Sequence, residues 1–159
     1  MRNKINKNIK WVKPKFTTES SKYSFYRRIL HKRSVDLRIL VVEDNIEISE
    51  VMSVFCGANE GINCQVINSG QEGLDKIRAA NFDLILLDLA MPDFSGLDVI
   101  KSLNNDGLVE SRNIVIFTAS SNQQVLQEMK NYGVKEIFKK PFSLDDLTNL
   151  IERYRPRDN

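Results

Sequence analysis

The stretch FDLILLDLAMPDFSG, residues 82–96, decides the fold. Leu84 to Leu87 are aliphatic at every position, so a strand built from them hides both of its faces from water. Strands of that kind belong to parallel sheets covered by helices on each side. The run then ends on Asp88, and a loop beginning Leu-Ala-Met-Pro follows at once. A strand closed to water on both faces that finishes on a carboxylate needs a physical reason.

Working outward, strands and helices alternate from Arg38 onward. RILVVED (38–44) reads as a buried strand, and Ile48, Val51, Met52 and Phe55 then recur at helical spacing up to a stop at Gly57 or Gly61. INCQVI (62–67) is a second strand and NSG a turn. Leu74, Ile77 and Ala80 mark a second helix, leading into DLILLDL (83–89) as the third strand. Leu97, Ile100 and Leu103 stripe a third helix that stops near Asp106–Gly107, and NIVIFTA (113–119) is a fourth strand. Val125, Met129 and Tyr132 mark a fourth helix with Gly133 as its natural end. KEIFKK (135–140) is a fifth strand, and Ser143 caps a last helix striped by Leu144, Leu147, Ile151 and Tyr154. Five such units predict an α/β fold: a doubly wound five-stranded parallel sheet with helices on both faces, of flavodoxin-like type.

Ligand chemistry in such a sheet gathers at the carboxyl ends of the strands. There the sequence places Glu43 and Asp44 after strand one, Asp88 after strand three, Thr118 at the end of strand four and Lys140 before Pro141 after strand five. Each alone has an ordinary explanation: an acid after a strand caps the next helix, a threonine suits a strand, a lysine is solvated. Their meeting at one edge is what those explanations leave over. Two unit charges about 4 Å apart repel by roughly 4 kcal/mol at an effective dielectric of about 20. Either one acid stays protonated or a cation neutralises them, and a hard divalent ion such as Mg²⁺, which takes oxygen ligands, suits the site. Asp88 can then act as a nucleophile on phosphorus, with Lys140 and Thr118 sharing the phosphoryl oxygens.

ILVVEDN, LILLDLAMPDFSGLDVI, IVIFTAS and KKPFSLDDL closely resemble the receiver domain of two-component response regulators, over roughly residues 38 to 154. The resemblance implies that Asp88 is the phosphoacceptor. It implies that Asp44, Asp88 and the Ala90 backbone carbonyl bind Mg²⁺ (or Mn²⁺) directly, with Glu43 acting through water. Thr118 would be the switch hydroxyl with Ala119 beside it in the phosphate-binding loop, and Lys140 the phosphate-pairing lysine. Pro141 stands where the family has a cis peptide. The expected function is a receiver that takes a phosphoryl group from a histidine kinase or phosphotransfer protein and then switches partner binding. The expected protein is cytoplasmic and not a dedicated enzyme, with the face of helix four, strand five and helix five as its partner or dimer surface. One departure concerns the readout: the family often carries Tyr or Phe three residues before the lysine, where this chain has Ile137, with Phe138 next to it. Period-two alternation sets Phe138 on the opposite strand face, in the core.

Rival functions fit less well. A phosphohydrolase of the haloacid type resembles DxDx[TV], but Asp88 is followed by Leu89-Ala90-Met91. A flavin mononucleotide site would meet repulsion from Glu43 and Asp44, and no GxxxxGK[ST] loop is present. A degenerate receiver acting as a phosphorylation-independent interaction module is the alternative reading, against which all five strand-end residues are present. His31, the only histidine, sits in RILHKRS, unlike the H-box of a histidine kinase, and leaves no histidine metal cluster or Ser/His/Asp triad.

The remaining features are compositional. The chain has 159 residues, 42% hydrophobic and 28% charged, with a net charge of +2, which suits one globular domain with a tail. No apolar run reaches the roughly 18 residues a membrane span needs. Residues 1–37 carry 11 Lys/Arg against 2 acids, whereas 38–159 carry 12 against 19, so a +9 arm precedes a −7 domain. The arm also holds Trp11, Phe16, Tyr23, Phe25 and Tyr26, and residues 20–30 suit a short amphipathic helix. Nucleic acid, an anionic membrane, a partner or the acidic domain itself are its candidate targets. The expected division is an arm over 1–37, a stand-alone receiver over 38–155 and a tail over 156–159. Cys56 and Cys64, eight apart and without a CxxC pair, read as buried thiols of a reducing compartment rather than a disulfide or metal pair.

Overall fold

The computed structural model describes residues 36–156 together with Thr18. The expected helix over 20–30, the rest of the basic arm and the tail beyond residue 156 lie outside the described residues. Five strands and five helices alternate: β1 Leu37–Val42, α1 Ile46–Ala58, β2 Ile62–Ile67, α2 Gly70–Ala79, β3 Leu84–Leu87, α3 Gly96–Asn105, β4 Ile114–Thr118, α4 Gln123–Asn131, β5 Glu136–Lys139 and α5 Leu144–Arg153. The strands form one sheet in the order β2-β1-β3-β4-β5, every pair parallel. The chain starts in the second position, moves outward to β2, and then crosses back over β1 to lay down β3, β4 and β5. The switch in direction lies between β1 and β3, where a doubly wound sheet opens a cleft.

Alternation along the strands divides the core in two. Leu40, Val42, Ile85, Leu87, Ile114 and Ile116 face one side, where they pack with Leu74 and Ile77 of α2, Val99, Ile100 and Leu103 of α3, and Leu126 and Met129 of α4. Ile39, Val41, Leu84, Leu86, Val115 and Phe117 face the other side, against Met52 of α1 and Leu147, Leu150 and Ile151 of α5. Each fully buried aliphatic side chain contributes about 1.5–3 kcal/mol, so both layers are well supplied.

Differences from the expected elements are local. β1 begins at Leu37, because the Leu37 N–H donates to the Gly61 carbonyl at 2.9 Å and keeps that residue in the ladder. The NSG turn is a helix start, with Ser69 as N-cap of α2 accepting from the Glu72 N–H. α1 runs through Gly57 to Ala58, and Gly61 takes the left-handed turn at φ 74°. Two stripe residues are misplaced: Val51 and Leu144 are exposed, at 46% and 56%. The inward positions belong to Ser49, Met52 and Cys56 on α1 and to Leu147, Leu150 and Ile151 on α5. Gly133 ends α4 at φ 87°, as its place in the sequence suggested.

Gly96 sets the position of α3 against the end of β3. A Cβ at this residue would lie 2.1 Å from the Asp88 carbonyl oxygen and 2.9 Å from Leu89 Cα. Only backbone stands there, so neither neighbour can swing away. Gly96→Ala should therefore lower the unfolding free energy by about 1–3 kcal/mol, the cost of overpacking. Urea unfolding would show this as a lower midpoint at unchanged slope; an unchanged midpoint would mean that α3 shifts without cost.

Candidate functional site

The carboxyl ends of β1 and β3 lie side by side, with Val42 opposite Leu87. The residues that follow, Glu43 and Asp88, are therefore neighbours by register, and the Asp88 N–H donates to the Val42 carbonyl at 3.0 Å. Carboxylate oxygens of Glu43, Asp44 and Asp88 can all lie within 4.8 Å of one another. Glu43 is fully buried, Asp88 is 5% exposed and Asp44 is half-buried.

Lys140 closes the group from the far side of the sheet. Its Nζ donates to Glu43 Oε2 at 2.5 Å and to Asp88 Oδ2 at 2.9 Å. To arrive there from the end of β5, the side chain passes over β4, and its Nζ stands 4.8 Å above the centre of the Phe117 ring. Phe117 is stacked on Phe138 at 5.8 Å and meets Phe142 at 4.7 Å, so an aromatic layer underlies the ammonium. The Lys140–Pro141 peptide is cis, as the resemblance implied.

The second oxygen of Asp88 points to the following loop, where Oδ1 accepts from the Ala90 N–H at 3.2 Å. Ala90 itself is exposed. Thr118 is fully buried at the end of β4, and its Oγ1 accepts from the Ser120 N–H at 3.0 Å. Ala119, between them, is exposed. The Lys139 ammonium donates to the Ser120 carbonyl from β5, a second tie on the same loop. Ile137 packs with the α2–α4 side of the core and Phe138 with the α1–α5 side, so the two do fall on opposite faces.

Three contributors escaped the sequence reading. Ser49 Oγ and Asn68 Nδ2 both donate to the Glu43 carbonyl, at 2.9 and 2.7 Å, and Asn68 Nδ2 also donates to Ser49 Oγ at 2.7 Å. They fix the backbone that presents the acid pair. Asn68 follows β2 directly, and the strand-end rule applied to every strand would have found it. Ser49 carried a weaker signal, a small polar residue on the inward stripe of α1. Phe117 carried none, since a buried aromatic in a core strand is ordinary.

The electrostatics follow from burial. Desolvation pushes the Glu43 carboxyl above its ordinary 4.5; the Lys140 hydrogen bond opposes this, and the Asp88 charge adds to it. Three carboxylates make an all-oxygen donor set, which fits a hard divalent ion. Such a group beside a lysine and a threonine can bind a cation and receive a phosphoryl group.

Residues 39–152 match the response regulator receiver domain. The chain belongs to that family. Phosphoryl acceptance and Mg²⁺ binding at an acidic pocket are general for receiver domains, which work within two-component signalling and are generally not dedicated enzymes. The transcriptional regulatory protein CrdR of Helicobacter pylori is 30% identical over 117 residues, 74% of this chain and 54% of the relative. The chain thus spans about half the length of that regulator. Sporulation initiation phosphotransferase F of Bacillus subtilis is 28% identical over 119 residues, 75% of this chain and 94% of the relative. The response regulator protein TrrA of Thermotoga maritima, solved in complex with Mg²⁺-BeF, superimposes with a TM-score of 0.62 at 29% identity, over 74% of this chain and 98% of that one. No helix among the described residues is long and apolar enough to cross a membrane.

For this receiver, the raised Glu43 value carries a sign. The folded state holds the Glu43 proton more tightly than the unfolded chain, so Glu43 adds stability at low pH that is lost as pH rises through its folded-state value. Measured against Glu43→Gln in metal-free buffer, wild-type stability should fall as pH climbs above 4.5. The slope cannot exceed about 1.4 kcal/mol per pH unit. Urea midpoints across that range would check it, and parallel curves for the two proteins would show that Glu43 titrates normally.

Proposed function

We propose that this receiver accepts a phosphoryl group on Asp88 from a histidine kinase or phosphotransfer protein, with Mg²⁺ bound, and that the modified protein presents a changed surface to a partner. The observation that carries this reading is the shared ammonium: Lys140 bridges Glu43 and Asp88 at the mouth of a three-carboxylate cluster.

In the proposed reaction an Asp88 carboxylate oxygen attacks phosphorus in line. A new O–P bond forms as the donor's P–N bond breaks, and the electron pair stays with the imidazole nitrogen. Asp44, Asp88 and the Ala90 carbonyl would hold the cation, with Glu43 acting through a water. When bound, the ion supplies charge neutralisation to the phosphoryl oxygens. Lys140 is already aimed at the reacting carboxylate, so it can exchange a carboxylate contact for a charge-assisted bond to the phosphoryl group. Thr118 starts with its hydroxyl oxygen accepting from Ser120, and turning it toward the phosphoryl group would pull on that loop.

The modification adds about −1.5 to −2 charge, which must bias a two-state element to be read elsewhere. The loop from Thr118 to Asn122 meets that need. It is tied by Thr118 from β4 and by Lys139 from β5, and Asn122 caps α4. With Ile137 packed in the core, the readout runs through this loop and α4, and the face of α4, β5 and α5 serves as partner or homodimer surface. A cytoplasmic location goes with this reading.

With Mg²⁺ and a small phosphodonor, the protein should gain one acyl phosphate, labile to hydroxylamine. Asp88→Asn, Asp44→Ala and chelation of the metal should each abolish it. Phosphate retained by Asp88→Asn would move the nucleophile to another residue.

Thr118→Ala separates chemistry from readout. Labelling should persist, while the change in amide hydrogen exchange over 118–138 should shrink at least several-fold. Lost labelling with normal folding and Mg²⁺ affinity would reassign Thr118 to the chemistry, and an exchange pattern unaltered by phosphorylation in the wild type would remove the α4 route.

A further inference from the structure

Cys56 and Cys64 are eight positions apart, yet the chain reverses between them. Cys56 is in the last turn of α1 and Cys64 is the third residue of β2. The turn through Gly61 folds the strand back beside the helix, so both thiols face one pocket. Both are free cysteines, one buried and one half-buried. The neighbouring Cys64 thiol favours the thiolate of Cys56, whose pKa lies below its ordinary value, while the Cys56 sulfur and burial push that of Cys64 up.

Both sulfurs line one pocket of about 570 Å³, together with Asp36, Ser53, Gly57 and Asn63. Gly57 leaves its wall open, since an added Cβ there would meet nothing within 4 Å. A small reagent can therefore reach thiols that a core position would otherwise protect. Structural cysteines are inert when sealed in and unionised; here one pocket opens onto both sulfurs, and the thiolate form is favoured at Cys56 and disfavoured at Cys64.

We propose that Cys56 and Cys64 form a reversible dithiol–disulfide site, oxidised by low-molecular-weight disulfides, that cross-links α1 to the edge strand β2. The Cys56 thiolate attacks one sulfur of the reagent; a Cys56–S bond forms, the reagent's S–S bond breaks, and one thiolate leaves with the electron pair. Cys64 then gives up its proton and attacks the Cys56 sulfur, expelling the second thiolate. Two thiol hydrogens and two electrons pass to the reagent, which becomes two thiols. The site is separate from the strand-end carboxylates and does not depend on the phosphoryl chemistry.

Glutathione disulfide added to the folded full chain, followed by alkylation and intact mass, tests the proposal. The wild type should lose both alkylatable thiols without retaining glutathione, and dithiothreitol should restore both. A peptide map should join Cys56 to Cys64. Cys64→Ser should stop at a single glutathione adduct on Cys56, because the resolving thiol is gone. Two thiols still alkylated after exposure, two retained adducts, or a cross-link between chains would each overturn the proposal. If Cys56→Ser or Cys64→Ser fails to fold, the wild-type peptide map decides by itself.

Discussion

One ammonium holds together two carboxylates that the sheet has shut away from water. Glu43 and Asp88 end adjacent strands, and both are nearly or wholly buried. Left to themselves at about 4 Å they would repel by roughly 4 kcal/mol at an effective dielectric of about 20. Lys140 answers both from β5, two strands beyond β3 in the sheet order. The parallel order, the loop after β5 and the aromatic layer over β4 all bear on that reach. If β4 offered a tall polar side chain in place of Phe117, the lysine stem would lose the surface it crosses.

The aromatic that the family often places on the readout face of the last strand has a different neighbourhood here. Ile137 occupies that place and packs with the α2–α4 side of the core. Phe138, one residue on, faces the other way and stacks on Phe117. The aromatic bulk of β5 thus supports the lysine from below. Structure and electrostatics share the same ring, and the loop after β4 is tied from both strands, by Thr118 and by Lys139.

The strands and their carboxyl-end residues were legible because local rules produce them. An aliphatic run of four can be read without knowing its neighbours, and so can a polar residue that ends it. Which helix positions turn inward was less legible. Val51 and Leu144 are apolar and correctly spaced, yet exposed, because a stripe can be drawn through several positions and only packing selects one. Contacts across long separations were invisible one residue at a time. Lys140 and Glu43 are 97 residues apart, and Asn68 and Glu43 are 25 apart. The two cysteines show the same limit in reverse: their short spacing concealed a reversal of the chain that brings them together.

Lys140 also permits a count of hydrogens. An ammonium carries three, all on one freely rotating nitrogen. Glu43 takes one and Asp88 another. In the proposed transfer the third would let the nitrogen greet an incoming oxygen before it lets go of either carboxylate, so the exchange of partners would proceed without an interval in which a buried charge stands alone. A guanidinium has more donors, five, but they are fixed in one plane, so turning one toward a new partner moves the others with it. At this position the difference between lysine and arginine lies less in charge than in the order of events it allows.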